Sequence, residues 1–242
     1  MSDDHCPPLT RENIQENIDR HGCFIVQVPA DDYLPAFAYT IGLYQRFQHP
    51  EIICFGLSLE VMASLLNDAC SQIKTGAAFA TNKLYDDFLE DYPVQFLSVD
   101  AAYYPYYPAA GCYFYEHASF AVLQLVWPDK QSRFPWEPDF NPDWQRKQPL
   151  LDRNADFMFP EEKNLGVFTT KQVLEGKPIL YVYHDEEGDW QFHSEDEPSE
   201  ADVRLVALSS IVGMDPGIVA IHQLSYGQRA WRASATDQWK WE

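Results

Sequence analysis

Residues 37–76 read FAYTIGLYQRFQHPEIICFGLSLEVMASLLNDACSQIKTG, and this stretch decides the class of fold. Phe37 to Leu43 and Glu51 to Gly56 are apolar runs of strand length, rich in aromatic and β-branched residues. The connection between them, Tyr44 to Pro50, is polar and too short for a crossover helix, which predicts an antiparallel pair. Ser58 then stands where an N-cap is expected. Met62, Leu65, Leu66, Ala69 and Ile73 follow at i, i+3, i+4, i+7 and i+11, a single apolar stripe that Gly76 ends. Paired strands followed by an amphipathic helix predict an α+β fold, mainly antiparallel sheet with packed helices.

Upstream, Thr10 is the expected N-cap of a helix with Ile14 and Ile18 on one face and Gly22 as its stop, and Cys23 to Val28 reads as a strand. Downstream, Val94 to Val99 and Phe120 to Val126 read as strands, with the acidic stretch Asp86 to Asp91 before the first. The tyrosines of Tyr103 to Pro108 predict an ordered aromatic loop between them. From Lys130 to Lys163, prolines 135, 138, 142, 149 and 160 forbid continuous helix or central strand, while Trp136, Trp144 and Phe157 argue for an irregular strap on a domain surface. The expected division is an N-terminal α+β domain over 1–160 and an acidic C-terminal module over 161–242. In that module Pro178 to Tyr183 and Trp190 to Phe192 flank the turn Asp185 to Gly188 as a hairpin. Val203 to Leu208 is a strand, and short helices start at Ser209 and Asp215-Pro216.

With 46% hydrophobic and 15% aromatic residues in 242, the chain has the material for a core. Its 17 basic and 37 acidic residues give a formal charge of −20. A field of that sign repels nucleic acid and anionic lipid, so neither is an expected partner, and it attracts basic protein surfaces. Five cysteines, without a C-x-x-C pair, look like reduced thiols, and the start Met1-Ser-Asp-Asp-His-Cys-Pro-Pro has no leader pattern. The expected compartment is the cytoplasm.

No nucleophile elbow, P-loop, dinucleotide fingerprint, zincin or EF-hand pattern occurs. His21, His49 and His117 lack partners at ligand spacing, which predicts structural roles and no metal. Cys23 and Cys112 have no adjacent base to activate them. The chain therefore reads as a binding protein and not as an enzyme, with no catalytic residue to name. From Asp185 to Asp202 there are nine acidic residues and no Lys or Arg. Asp185, Glu186, Glu187, Asp189, Glu195, Asp196 and Glu197 are the expected contacts for a basic protein, together with the aromatic loop residues Tyr103, Tyr104, Tyr106 and Tyr107.

Several stretches carry a family resemblance: His21-Gly-Cys-Phe-Ile-Val26, Pro35 to Leu43, His49-Pro-Glu-Ile-Ile-Cys-Phe-Gly-Leu57, Gln124-Leu-Val-Trp-Pro-Asp129, Arg133 to Pro138 and Gln148 to Leu151. In order and spacing, over about residues 11–152, they resemble a bacterial family known as domain of unknown function 4262. The positions that carry the match include His21, Tyr39, Thr40, His49, Glu51, Trp127, Asp129 and Trp136. The family implies no catalytic residues. Gly188-Asp-Trp-Gln-Phe192, Glu195-Asp-Glu197, Asp215-Pro216-Gly-Ile218 and Ala230 resemble the immunity protein 33 family, whose members block bacterial toxins. That resemblance implies a partner that is a toxin with a basic surface, and no cofactor. The alternative is a small-ligand-binding protein or oxidoreductase resembling split-barrel flavin reductases, with FMN bound through Tyr39, Thr40 and a stacking Trp136.

Overall fold

In the computed structural model, residues 10–31, 34–116, 119–153 and 156–242 are described. The chain forms two compact units, one from residues 1–31 and 35–155, the other from 32–34 and 156–242. His117 and Cys6, both weighed above, lie outside the described residues.

The first unit opens with α1 (Arg11–His21), capped by the Thr10 hydroxyl, which accepts from the Asn13 N–H. Gly22 ends it at φ 91°, a left-handed conformation that favours glycine, and its N–H bonds Ile18 O. Strands β1 (Phe24–Val28), β2 (Phe37–Ile41) and β3 (Glu51–Phe55) follow, with the short helix α2 (Leu43–Phe47) inside the connection read as loop. Then come α3 (Leu59–Lys74), β4 (Leu84–Leu89), β5 (Tyr92–Ser98), α4 (Ala109–Tyr115) and β6 (Val122–Val126). The sheet order is β1-β2-β3-β6-β5-β4, antiparallel except for the central pair β3–β6. The expected β2–β3 antiparallel pairing is present, Phe37 opposite Phe55.

All five stripe residues of α3 are buried, against Ala38, Ile52, Cys54 and Leu125 of the sheet. Burial of Met62, Leu65, Leu66 and Ile73 contributes on the order of 8 kcal/mol relative to exposure. Strands β2, β3 and β6 are buried on every residue, as central strands covered on both faces must be. The second face is covered by the tyrosine segment. Tyr107 meets Phe37 and Phe55 edge-on at 5.5 and 5.2 Å, and Tyr104 packs on Phe120 at 5.2 Å. The strap adds Phe134, packed with Leu97 and Val126.

In the second unit, β7 (Gly166–Thr170), α5 (Lys171–Leu174), β8 (Tyr181–His184), β9 (Trp190–His193), β10 (Val203–Ala207), α6 (Leu208–Met214), β11 (Gln228–Trp231) and β12 (Lys240–Trp241) form a sheet of order β10-β7-β9-β8-β11-β12. Only β7–β9 is parallel. The fold class is α+β, as read from the sequence. One sheet face carries the core, in which Val167, Val182, Trp190, Phe192 and Ala230 pack with Leu208, Ile211 and Ile218. Among the described residues no helix is long and apolar enough to cross a membrane.

His222 is fully buried beside this core, its Nδ1 at 3.0 Å from Val219 O. Burial pushes its pKa down to about 4, partly offset by that carbonyl. An unfolded chain takes up the proton near pH 6.5, and the folded one resists until about 4. Stability is therefore full above 6.5 and is lost as pH falls through that window, by about 3 kcal/mol in total. Urea denaturation at pH 7 and pH 4.5 should show this loss, and His222→Leu should remove most of the difference.

Candidate functional site

The acidic run is organised by the β8–β9 hairpin. Asp185 folds its own turn: Oδ1 accepts from the N–H groups of Glu187 (3.0 Å) and Asp189 (2.9 Å), and Oδ2 accepts from Gln191 Nε2 at 3.0 Å. Gly188, at φ 88°, completes the reversal, donating its N–H to Asp185 O at 3.1 Å. Side chains alternate along these strands, so Val182 and Phe192 face the core while Tyr183, Gln191 and His193 face away from it.

That second face is a groove of about 780 Å³. A single row crosses it: Leu205 opposite Phe168, Phe168 opposite Gln191, Gln191 opposite Tyr183, and Tyr183 opposite Arg229. Leu205 is 67% exposed. Five carboxylates line the groove, those of Asp185, Glu186, Asp196, Glu200 and Glu242, against the one guanidinium of Arg229. Three of the five are committed. Asp185 holds the turn, Asp196 accepts from the Tyr183 hydroxyl, and Glu242 pairs with Arg229, whose Nε lies 2.8 Å away. The side-chain carboxylates of Glu186 and Glu200 form no hydrogen bond or ion pair among the described residues.

His193, 3% exposed, also lines the groove, and its Nδ1 has no hydrogen-bond partner among the described residues. Burial pushes its pKa down, which keeps the ring neutral at pH 7. Burial, and then the bond to Asp196, push Tyr183 up to about 12, so it stays a protonated donor.

Of the acidic residues singled out from sequence, the groove gathers Asp185, Glu186 and Asp196. Glu187, Asp189 and Glu197 are exposed but outside its lining, and Glu195 pairs with Lys177 at 3.2 Å. The tyrosine loop requires correction. Tyr103, Tyr104 and Tyr107 are 4–5% exposed and belong to the core of the first unit, so they are not a contact surface; Tyr106 is half-buried. Glu200, His193, Phe168 and Arg229 were not singled out. The polar-outward alternation of Tyr181, Tyr183, Gln191 and His193 was the available signal, and it marks a sheet face that no core covers.

The family-motif residues hold the first unit together. Glu51, 1% exposed, accepts from Thr40 Oγ1 (2.7 Å), Gly42 N (2.9 Å), Tyr44 N (3.0 Å) and the Tyr115 hydroxyl (2.6 Å). His49 has Nδ1 at 2.7 Å from Pro50 O and accepts the Phe79 N–H on Nε2 at 3.1 Å, a neutral imidazole whose pKa burial pushes down. Trp127 donates Nε1 to Phe55 O at 2.8 Å. Asp129 accepts the backbone N–H groups of Gln131, Arg133 and Asn141 and the Arg133 Nε. Burial opposes its charge, and these bonds more than offset that, holding its pKa below the usual carboxylate range. His21 is exposed at the α1 C-terminus, its carbonyl accepting from Lys74 Nζ.

The residues weighed as an FMN site are placed differently from that reading. Thr40 Oγ1 donates to Glu51 and accepts the Ile52 N–H at 2.9 Å, and the Tyr39 hydroxyl accepts the Ala110 N–H at 3.2 Å. Both side chains are buried, and Thr40 is bonded to the Glu51 carboxylate, which would repel a phosphate. Trp136 stacks on Phe134 at 4.9 Å. FMN at about 1 mM should leave the melting temperature unchanged within about 1 °C, whereas a ligand at a hundred times its Kd would add about 2.7 kcal/mol.

Cys23, for which sequence offered no base, hydrogen-bonds Cys70, and that bond, with Lys74 nearby, lowers the Cys70 pKa. The two sulfur side chains are 5% and 2% exposed, out of reach of a substrate. Among the described residues no group of three or more His, Cys, Asp or Glu could hold a metal ion.

The family model described as Domain of unknown function (DUF4262) matches residues 17–141, within the first unit. No curated protein and no solved structure matches the chain significantly.

Proposed function

The chain belongs to the family described as Domain of unknown function (DUF4262), and from that premise we propose that it is a binding module, not a catalyst, that captures a protein with a basic surface through its second unit. The observation that carries this reading is the groove lined by five carboxylates and one guanidinium, two of the carboxylates uncommitted. The formal charge of −20 adds long-range attraction, which raises the rate of encounter more than the affinity. In the first unit the motif residues Tyr39, His49, Glu51 and Asp129 are buried and bonded to other side chains or to backbone, which leaves them free for no substrate. The finer form of the proposal is immunity, neutralisation of a bacterial toxin with a basic surface. It rests on the resemblance of about residues 178–232 to the immunity protein 33 family. A cytoplasmic location accords with the four described cysteines, all free thiols.

The test is affinity capture from the native host with the tagged full chain at about 0.15 M salt. A basic protein should be retained in stoichiometric amount and released at about 1 M salt, where charge attraction is screened within about 3 Å. Recovery of no stoichiometric partner, or of one that ignores salt, would refute the reading.

A further inference from the structure

The reading of the chain as a binder of basic proteins leaves open what part of the partner it grips, and the second sheet narrows this. Its groove combines a flat floor with anions at both ends. Phe168, Tyr183 and His193 supply rings on one face. Glu186 lies in the turn that precedes Trp190, at the start of β9. Glu200 lies three residues before Val203, which pairs with Thr170. Thr169 is level with Phe192, so Glu200 lies beyond the His193 end of β9. The two uncommitted carboxylates therefore bracket the groove, separated by at least the four residues of β9, about 13 Å.

We propose that this open sheet face is a docking groove for an extended segment of a partner protein that carries arginines, with Glu186 and Glu200 as the anions and the half-buried rings of Tyr183 and Phe168 as the surface against which guanidinium groups lie. Charge selects a cation: the lining carries five carboxylates against one guanidinium. The absence of a metal-competent cluster among the described residues directs the choice to an organic cation. The flat rings select guanidinium over ammonium, because a planar, weakly hydrated cation stacks where a compact, strongly hydrated one does not. The same face already holds one guanidinium in this manner: Arg229 is bonded by the Glu242 carboxylate and lies 5.6 Å from the Trp231 ring centroid. His193 supplies the second indication, a side chain 3% exposed in the lining with a ring nitrogen left unpaired among the described residues. A buried polar atom without a partner is costly, and a docked segment that brings donors and acceptors over the ring can relieve it.

The experiment is fluorescence anisotropy of labelled octa-arginine with the full chain at about 0.15 M salt. Octa-lysine and spermine serve as competitors. The groove variant is Glu186→Gln with Glu200→Gln, and the control is Glu12→Gln with Glu16→Gln on exposed α1 positions, which changes net charge equally. The expected result is a groove variant at least about tenfold weaker, a control within about twofold, and octa-lysine weaker than octa-arginine. Equal weakening of both variants would overturn the groove while leaving an acidic binder intact, since the whole field would then be responsible. Spermine displacing octa-arginine as well as unlabelled octa-arginine does would also overturn it, in favour of a small polyamine. No binding of octa-arginine overturns it outright, and the capture experiment from the host then decides the broader reading by itself.

Discussion

Replacing Glu51 by alanine is expected to destabilise the first unit by about 3–5 kcal/mol, one of the two largest single-residue effects we foresee. The carboxylate is 1% exposed and accepts from four donors: two hydroxyls, Thr40 and Tyr115, and two backbone N–H groups, Gly42 and Tyr44, where α2 begins. Its charge is met by oriented dipoles, which substitute for water in a site water does not reach. Alanine takes the acceptor from the Thr40 and Tyr115 hydroxyls and from the Tyr44 N–H, while the Gly42 N–H keeps the Tyr115 hydroxyl oxygen 2.9 Å away. Glu51→Gln keeps one oxygen but aims an amide NH₂ at donors, so an intermediate loss of about 2 kcal/mol is expected. Tyr115→Phe removes one donor to the carboxylate and one of the two acceptors of the Gly42 N–H, which keeps Glu51, and should cost about 1 kcal/mol. Urea denaturation followed by far-UV circular dichroism measures all three. A domain has roughly 5–15 kcal/mol to lose, so Glu51→Ala is expected to be recovered only in part as folded protein, and the graded series then carries the test. A loss below about 1 kcal/mol for Glu51→Ala, or glutamine costing as much as alanine, would show that the four bonds do not act as described.

Elements governed by local chemistry were legible in the sequence. The α3 stripe, the Thr10 and Ser58 caps, the β2–β3 pairing and the β8–β9 hairpin depend on spacing within a few residues, and each is present. What escaped was decided by tertiary surroundings. Strand β4 carries Asp86 and Asp87 and buries only Phe88, as an edge strand can, so its composition reads as loop. Strand β7 begins with glycine, and β12 has two residues, too few for any periodicity. The tyrosines of residues 103–107 look alike whether exposed or buried; only the second face of the first sheet, invisible in a local window, makes them core. The acidic run was visible as charge. Which of its members remain free was not, because Asp185 spends both oxygens on its own turn and Glu195 is taken by Lys177, nearly twenty residues away.

Arg232 illustrates the same limit and carries the second large effect: Arg232→Ala should cost the second unit about 3–5 kcal/mol. Nothing around it in sequence marks it as special, yet it is 4% exposed and spends its donors in three directions. Nε donates to Ile179 O at 2.9 Å, Nη1 to Ala235 O at 2.8 Å and Nη2 to the Asp215 carboxylate, while the guanidinium carbon lies 4.3 Å from the Trp239 ring centroid. Asp215 in turn accepts the Gly217 N–H at 3.1 Å, capping the 3₁₀ turn Pro216–Ile221. One side chain thus ties the segment before β8, the turn after α6 and the C-terminal stretch together. Truncation leaves two carbonyls and a carboxylate without their donor. Arg232→Lys offers a point charge where a fork is needed, so about 2 kcal/mol should still be lost. Asp215→Asn keeps an oxygen for Gly217 but strands the buried guanidinium, and a cost of about 2–4 kcal/mol is expected. The combination of Arg232→Ala with Asp215→Asn should cost less than the sum of the two by at least about 1 kcal/mol, because the second change removes a partner the first has already orphaned. Strict additivity in that cycle, measured by urea denaturation at pH 7, would mean that the ion pair does not hold these segments together and that the carbonyl bonds and the ring contact with Trp239 account for the loss.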